Sequence, residues 1–399
     1  MQLTTSLAVA AVLARSVCAH PGQSALELRQ ELAERAEYMK HSKKDLSHCA
    51  AKMKARGLEA RAIVRRAAAA KDARQKRSID ANAPFRKRDA ASVLATNHSS
   101  SVDYTSSTDE ATIFSGNNSC VLSPEVTQGP YYVSGEYVRE DMVETQEGVA
   151  MTLDTQVIDM ETCDPVTDAM IEIWHCNSTG VYSGIVASGN GDSSDLSNIN
   201  ATFLRALQPT DDEGVAQFNT LVPGHYTGRA PHIHVLAHFN GTTYANGTYG
   251  GGYVSHVGQV FFDQDLITQV EATSLYSTNT QELTLNSADA IFAEEAATSD
   301  PVVEYSLLGD DISSGVFAWV AFGINLTNEY SVSPAASLYA EGGVANADFG
   351  GGGGNSTGSA PTGAALSGAV TVSSSTVSSS AAAVATGATE ATDSDACDA

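Results

Sequence analysis

No lysine occurs after Lys87, and the body of the chain is nearly without cations. Residues 91–399 hold only Arg139, Arg205 and Arg229 against 38 acidic residues, a net −35. Residues 1–90 hold 19 of the 22 Lys+Arg with 9 acidic residues, a net +10. A body this acidic repels phosphate, which excludes nucleic acid as its partner. No C-x-x-C pair occurs, which argues against a thiolate zinc site. Long apolar runs are also missing. Leu7–Ala14 is too short to cross a bilayer, so no membrane partner is expected. With so few cations in the body, an arginine kept beside a histidine pair reads as functional.

Residues 1–19 have the form of a secretory signal, with Leu7–Ala14 as apolar core and Val17-Cys18-Ala19 as cleavage site. Asn-x-Ser/Thr sequons at Asn97, Asn117, Asn177, Asn200, Asn240, Asn246, Asn325 and Asn355 agree with a secreted, extracellular glycoprotein. In residues 20–88, Leu28, Leu32, Ala36 and Met39 recur at helical spacing, and Glu31–Arg35 forms an i,i+4 pair. The dibasic sites Lys76-Arg77 and Arg86-Lys87-Arg88 mark this stretch as a helical propeptide or N-terminal arm. Cleavage after Arg88 would leave a protein starting near Asp89. If retained, the arm could serve a homodimer. Cys18 leaves with the signal. Cys49, Cys120, Cys163, Cys176 and Cys397 remain, with disulfides the default outside the cell and the pairing open.

Residues 89–118 read as a linker. The body, 119–335, reads as all-β, a β-sandwich. Strands are expected at Met151–Asp159, Ala169–Trp174, Gly214–Leu221, His232–Phe239, Gln259–Asp263 and Val316–Asn325, with one short helix over Leu266–Ser274. Residues 336–399 are rich in Gly, Ser, Thr and Ala and read as a disordered tail.

The chemistry concentrates in Pro223-Gly224-His225-Tyr226-Thr227-Gly228-Arg229-Ala230-Pro231-His232-Ile233-His234. On a strand His232 and His234 share a face and can reach one metal ion. A tyrosine nearby offers a hard anionic oxygen, which suits Fe(III) better than zinc or copper. Upstream stands Ile171-Glu172-Ile173-Trp174-His175-Cys176-Asn177-Ser178-Thr179-Gly180-Val181-Tyr182-Ser183.

This W-H-x-N-x-x-G-x-Y-S followed by P-G-x-Y and R-x-x-H-I-H resembles the intradiol ring-cleavage dioxygenases, more narrowly their secreted fungal branch. Gly129-Pro130-Tyr131-Tyr132 and Gln259 resemble the family's pocket positions. The resemblance implies a β-sandwich core and one non-haem Fe(III) held by Tyr182, Tyr226, His232 and His234. It implies cleavage of catechol-type rings between the two hydroxylated carbons, with both atoms of O₂ inserted, to cis,cis-muconate-type products. Tyr226 would take a catechol proton as general base. Arg229 and Gln259 would stabilise developing negative charge.

Taken singly, the pieces have blander readings. Trp174 suits core packing, and His175 and His225 suit satisfied hydrogen-bonding roles. His238 shares the face of the His pair but lies too far along the strand to join it. A metal-free transthyretin-like binding module is the alternative; it has no need of two tyrosines and two histidines together. A copper site built on His20 is a second alternative, disfavoured by the tyrosines.

Overall fold

The computed structural model describes residues 46–81, 119–120, 129–296, 300–330 and 332–346. The signal segment, the Leu28–Met39 pattern, Arg86–Arg88, the linker up to residue 118 and residues 347–399 lie outside them. The strands are β1 (Ser119–Cys120), β2 (Val133–Ser134), β3 (Ala150–Asp159), β4 (Met170–Trp174), β5 (Arg205–Pro209), β6 (Val215–Leu221), β7 (His232–Phe239), β8 (Thr242–Thr243), β9 (Tyr249–Gly250), β10 (Tyr253–Phe261), β11 (Glu304–Leu307), β12 (Val316–Ile324), β13 (Ala336–Tyr339) and β14 (Gly342–Ala345). The α-helices are α1 (Ala50–Ala55), α2 (Leu58–Lys76), α3 (Gln264–Glu271) and α4 (Ala290–Ala296).

One sheet runs β1-β12-β3-β6 with β11 also on β12, and a second runs β10-β7-β4-β5. Strands β3 and β12 pair in parallel along their lengths, Val316 with Met151 through Ile324 with Asp159. The second sheet is antiparallel. Inward-facing residues of both sheets share one core, including Leu153, Phe218 and Val320 from the first and Ile171, Ile173, Ile233 and Val235 from the second. Alternation then sets the other face. With Ile233, Val235 and Ala237 in that core, His232, His234, Leu236 and His238 point away from it.

The all-β β-sandwich expectation, with helices confined to an N-terminal pro-segment, is overturned. The fold is mixed α/β, its sheets are open, and its helices are dispersed. Helices α3 and α4 and several 3₁₀ turns lie within the body. The expected helix at 266–274 is α3. Helix α4 has only seven residues, too few to show a period, and is started by Asp289, whose Oδ1 accepts from the Ile291 and Phe292 amides. Ordered strands also continue past residue 335, because β13 pairs with both β14 and β2. No helix among the described residues is long and apolar enough to cross a membrane.

Residues 46–81 pack on the body. The α2 face of Ala67, Ala70 and Ala73 is small enough to lie against Phe317, Trp319 and Leu308. Arg65 Nε and Nη2 grip Asp154 at 3.1 and 3.0 Å, and Arg74 Nε donates to Leu308 O at 2.7 Å. Cys49 and Cys163 form a disulfide, while Cys176 is a buried thiol. Stripping this arm away would expose Phe317 and Trp319, at about 1.5–3 kcal/mol for each large side chain. Proteolysis after Arg88 is therefore expected to nick the chain rather than release the arm. A nicked protein should run as one species without reductant and as two with it. Recovery of a lone chain starting near Asp89 under non-reducing conditions would show that the arm does leave.

Candidate metal centre

Two loops and two strands bring the predicted residues together. The first loop carries Tyr182. Its backbone N–H donates to Asn190 Oδ1 at 2.7 Å, and its carbonyl accepts from Asn190 Nδ2 and Asn198 Nδ2 at 2.8 and 2.9 Å. The second loop carries Tyr226. The two loops touch through their backbones, which explains the glycines two residues before each tyrosine. A Cβ on Gly180, whose φ is +83°, would sit 2.1 Å from His225 O. One on Gly224 would sit 2.6 Å from Asn177 O and Ser178 O.

Strand β7 supplies the imidazoles. His232 Nδ1 donates to Ala230 O at 2.6 Å, which leaves its Nε2 as the lone-pair nitrogen. That Nε2 is 3.4 Å from Tyr226 Oη and 3.1 Å from His234 Nε2. Register places Trp174 and Gln259 on either side of His234. The Trp174 ring stacks on the His234 ring, centroids 4.6 Å apart and 1° from parallel, so this core tryptophan also fixes the imidazole plane. The Tyr182 ring meets those of Tyr226 and His234 edge-on, with centroids 5.6 and 6.2 Å away. Tyr182 Oη is buried and has no hydrogen-bond partner. Burial pushes both phenols far above the ordinary tyrosine value, with Tyr226 itself adding to the rise of Tyr182. Neither becomes a phenolate at neutral pH unless a cation stands beside it.

Arg229 is buried. Its Nε donates to Asp289 Oδ2 at 2.8 Å, and its Nη2 donates to Gln259 Oε1. Gln259 Nε2 in turn lies 3.5 Å from His234 Nδ1. All six predicted residues thus share one buried cluster. Tyr131 joins it, 4.8 Å from Tyr182 and 6.2 Å from Tyr226 between ring centroids. Tyr132 turns away onto Trp174.

The readings of the flanking histidines hold. His175 is satisfied by Thr220 Oγ1 and Cys176 O, and His225 by Glu271 and Gln281 O. Asn190, Asn198, Asp289 and Arg205 escaped sequence reasoning. Arg205 Nη2 donates to the carbonyls of Tyr131 and Ser183, which pins the Tyr131 segment and the Tyr182 loop to β5. Only Asp289 carried a legible signal, as a helix-capping residue before an apolar turn.

A second group of possible ligands, His48, Cys49 and Cys163, has its donor atoms within 4.8 Å of one another. Reduced, it could coordinate a metal. Oxidised, as here, its sulfurs are spent on the disulfide that fastens the arm.

Residues 126–286 match a family model described as Dioxygenase. The catechol 1,2-dioxygenases of Pseudomonas sp. (strain EST1001) and Acinetobacter baylyi (strain ATCC 33305 / BD413 / ADP1) are 31% and 28% identical to the chain over 109 residues, 26% of this chain. The chain spans 32% of the length of each of these curated relatives. Among solved structures, the intradiol ring-cleavage dioxygenase from Tetranychus urticae is 29% identical over 53% of this chain and 98% of its own, with a TM-score of 0.44. A second dioxygenase structure is 30% identical over 53% and 97%, with a TM-score of 0.43. The sequence match, rather than the superposition, carries weight. These relatives are bacterial and animal, and they do not single out the secreted fungal branch. On the matched segment and these identities, this chain is homologous to the intradiol ring-cleavage dioxygenase superfamily.

Proposed function

We propose that the protein is a secreted oxidoreductase that opens catechol-type rings between the two hydroxylated carbons, using both atoms of O₂. One observation carries this reading. His232 Nε2, His234 Nε2 and Tyr226 Oη converge within 3.4 Å steps beside the partnerless buried hydroxyl of Tyr182. Two imidazoles and two phenols in a buried site fit a hard, highly charged cation. Tyr182, Tyr226, His232 and His234 would hold Fe(III), which as a Lewis acid lowers the pKa of a bound catechol. Ala230 O fixes the His232 tautomer, and Trp174 fixes the His234 plane. Tyr226 Oη would accept one catechol proton. Arg229, aimed by Asp289 and joined to Gln259, would sit against negative charge as it develops on the substrate. The Cys49–Cys163 disulfide and the sequons support an oxidising, extracellular setting.

The test is metal analysis of the purified protein followed by O₂ uptake on a panel of catechols. Stoichiometric iron, a burgundy colour from tyrosinate-to-iron charge transfer, and muconate-type products are expected. A colourless protein carrying stoichiometric zinc or copper would overturn the assignment.

A further inference from the structure

A cavity of about 500 Å³ opens farther along β7, and none of the six residues of the proposed metal centre lines it. His238, on its wall, is four residues beyond His234, about 13 Å away at ~3.3 Å per strand residue. Four tyrosines line the cavity: Tyr132, Tyr249, Tyr253 and Tyr330. So do three carboxylates. Glu136 and Glu172 are buried, and Glu329 is exposed at the rim.

The carboxylates differ in how they are satisfied. Glu172 Oε2 meets His238 Nε2 at 2.6 Å. Glu136 is 1% exposed, and neither of its buried carboxylate oxygens has a hydrogen-bond partner. It forms a long ion pair with Arg205 Nε at 3.8 Å, while the hydrogen bonds of that guanidinium go to Ser183 and to the Tyr131 carbonyl, and its Nη1 has no hydrogen-bond partner. A buried carboxylate without donors costs about 1–3 kcal/mol or more unless something supplies positive charge.

We propose that this cavity binds an organic ammonium ion, with the tyrosines as walls and Glu136 and Glu172 as counter-charges. Aromatic walls with carboxylates, and no lysine or arginine among the described lining residues, are the chemistry that recognises an alkylated nitrogen. The net −35 of residues 91–399 draws cations toward the molecule. A bare metal ion fits less well. Among the described residues the donor atoms of Glu136, Glu172 and His238 do not gather within 4.8 Å of one another, as those of His48, Cys49 and Cys163 do. Spread-out charges suit a larger ion.

Titration supports the geometry. Burial pushes the Glu136 carboxyl up to about 8, against the opposing pull of Arg205 and with Glu172 adding to the rise. Arg139 and Glu144 act on it more weakly, and His238 and Glu329 share the cavity. Glu136 is therefore neutral below that pH and charged above it, so a cation should bind more tightly as pH rises from 6 to 9.

Calorimetric titration of the full chain at physiological salt tests this. The probes are choline, its neutral isostere 3,3-dimethylbutan-1-ol, maltotriose and calcium chloride. Choline should bind one to one, more tightly at pH 9 than at pH 6, and the isostere should bind at least about tenfold more weakly. Glu136→Gln should weaken choline about tenfold at pH 9 and little at pH 6. If that variant does not fold, Glu329→Gln at the exposed rim should still weaken choline measurably. Saturable binding of maltotriose or calcium without choline would overturn the proposal. So would equal affinity for choline and its isostere, or no binding by any probe.

Discussion

Tyr226→Phe should keep iron, change colour and lose at least about 10²-fold in turnover, the scale of a general-base contribution. On the proposed assignment, His232, His234 and Tyr182 would remain as ligands. The lost hydroxyl is the one 3.4 Å from His232 Nε2, and with it would go one phenolate of the proposed chromophore. Arg229→Ala should behave differently. The guanidinium donates to Gln259, which lies against His234, and it offers no lone pair to a metal, so colour should survive. Activity should fall by the equivalent of about 2–4 kcal/mol if Arg229 acts as a charge-stabilising donor. Visible spectra and turnover on the same preparations separate the roles. An Arg229→Ala protein without iron beside a fully active, fully coloured Tyr226→Phe protein would show that the roles have been assigned to the wrong residues.

Asp154→Ala should be the most destabilising single change on the opposite side of the molecule. The carboxylate is fully buried. It takes a two-pronged grip from Arg65, faces Arg66 Nε at 3.7 Å and accepts from Gln217 Nε2 at 2.6 Å. Removing it takes the buried carboxylate from Arg65, which keeps the more exposed Glu213 at 3.2 Å, and from Arg66, at a cost of about 3–5 kcal/mol. Urea unfolding should show this as a lowered midpoint. A loss below about 1 kcal/mol would mean that water reaches these arginines and that the arm sits more loosely than the packing indicates. Burial alone would raise the Asp154 carboxyl, but Arg65 and then Arg66 hold it below its ordinary value. The pair's stabilisation is thus complete above the unfolded carboxyl pKa and is lost as pH falls through the folded one. Replacing Asp154, Arg65 and Arg66 together by apolar residues should recover much of the loss.

The candidate centre was legible because its chemistry is local. His-x-His on a strand, and a glycine two residues before each tyrosine, are short patterns whose geometry follows from the backbone alone. Five of the six expected strands lie within a residue of their predicted ends. The strand begun at Gln259 in fact starts at Tyr253, because Gly251 and Gly252 disguised its approach. The overall class was read wrongly for a related reason. Counting strands gives no weight to a seven-residue helix begun by one capping aspartate, nor to parallel pairing between β3 and β12, which lie more than 150 residues apart.

Sequence by itself determined which residue types make up the candidate centre, the acidic body and the division into a basic arm and a cation-poor body. These depend on residue identity and short spacing. Only tertiary structure decided that the arm is part of the fold, since the Cys49–Cys163 link and the Arg65–Asp154 grip join residues about a hundred positions apart. It alone turned Asn190, Asn198, Arg205 and Asp289 from anonymous polar residues into the supports of the tyrosine loops and of Arg229. A buried polar group is defined by what surrounds it, and those surroundings come from distant parts of the chain.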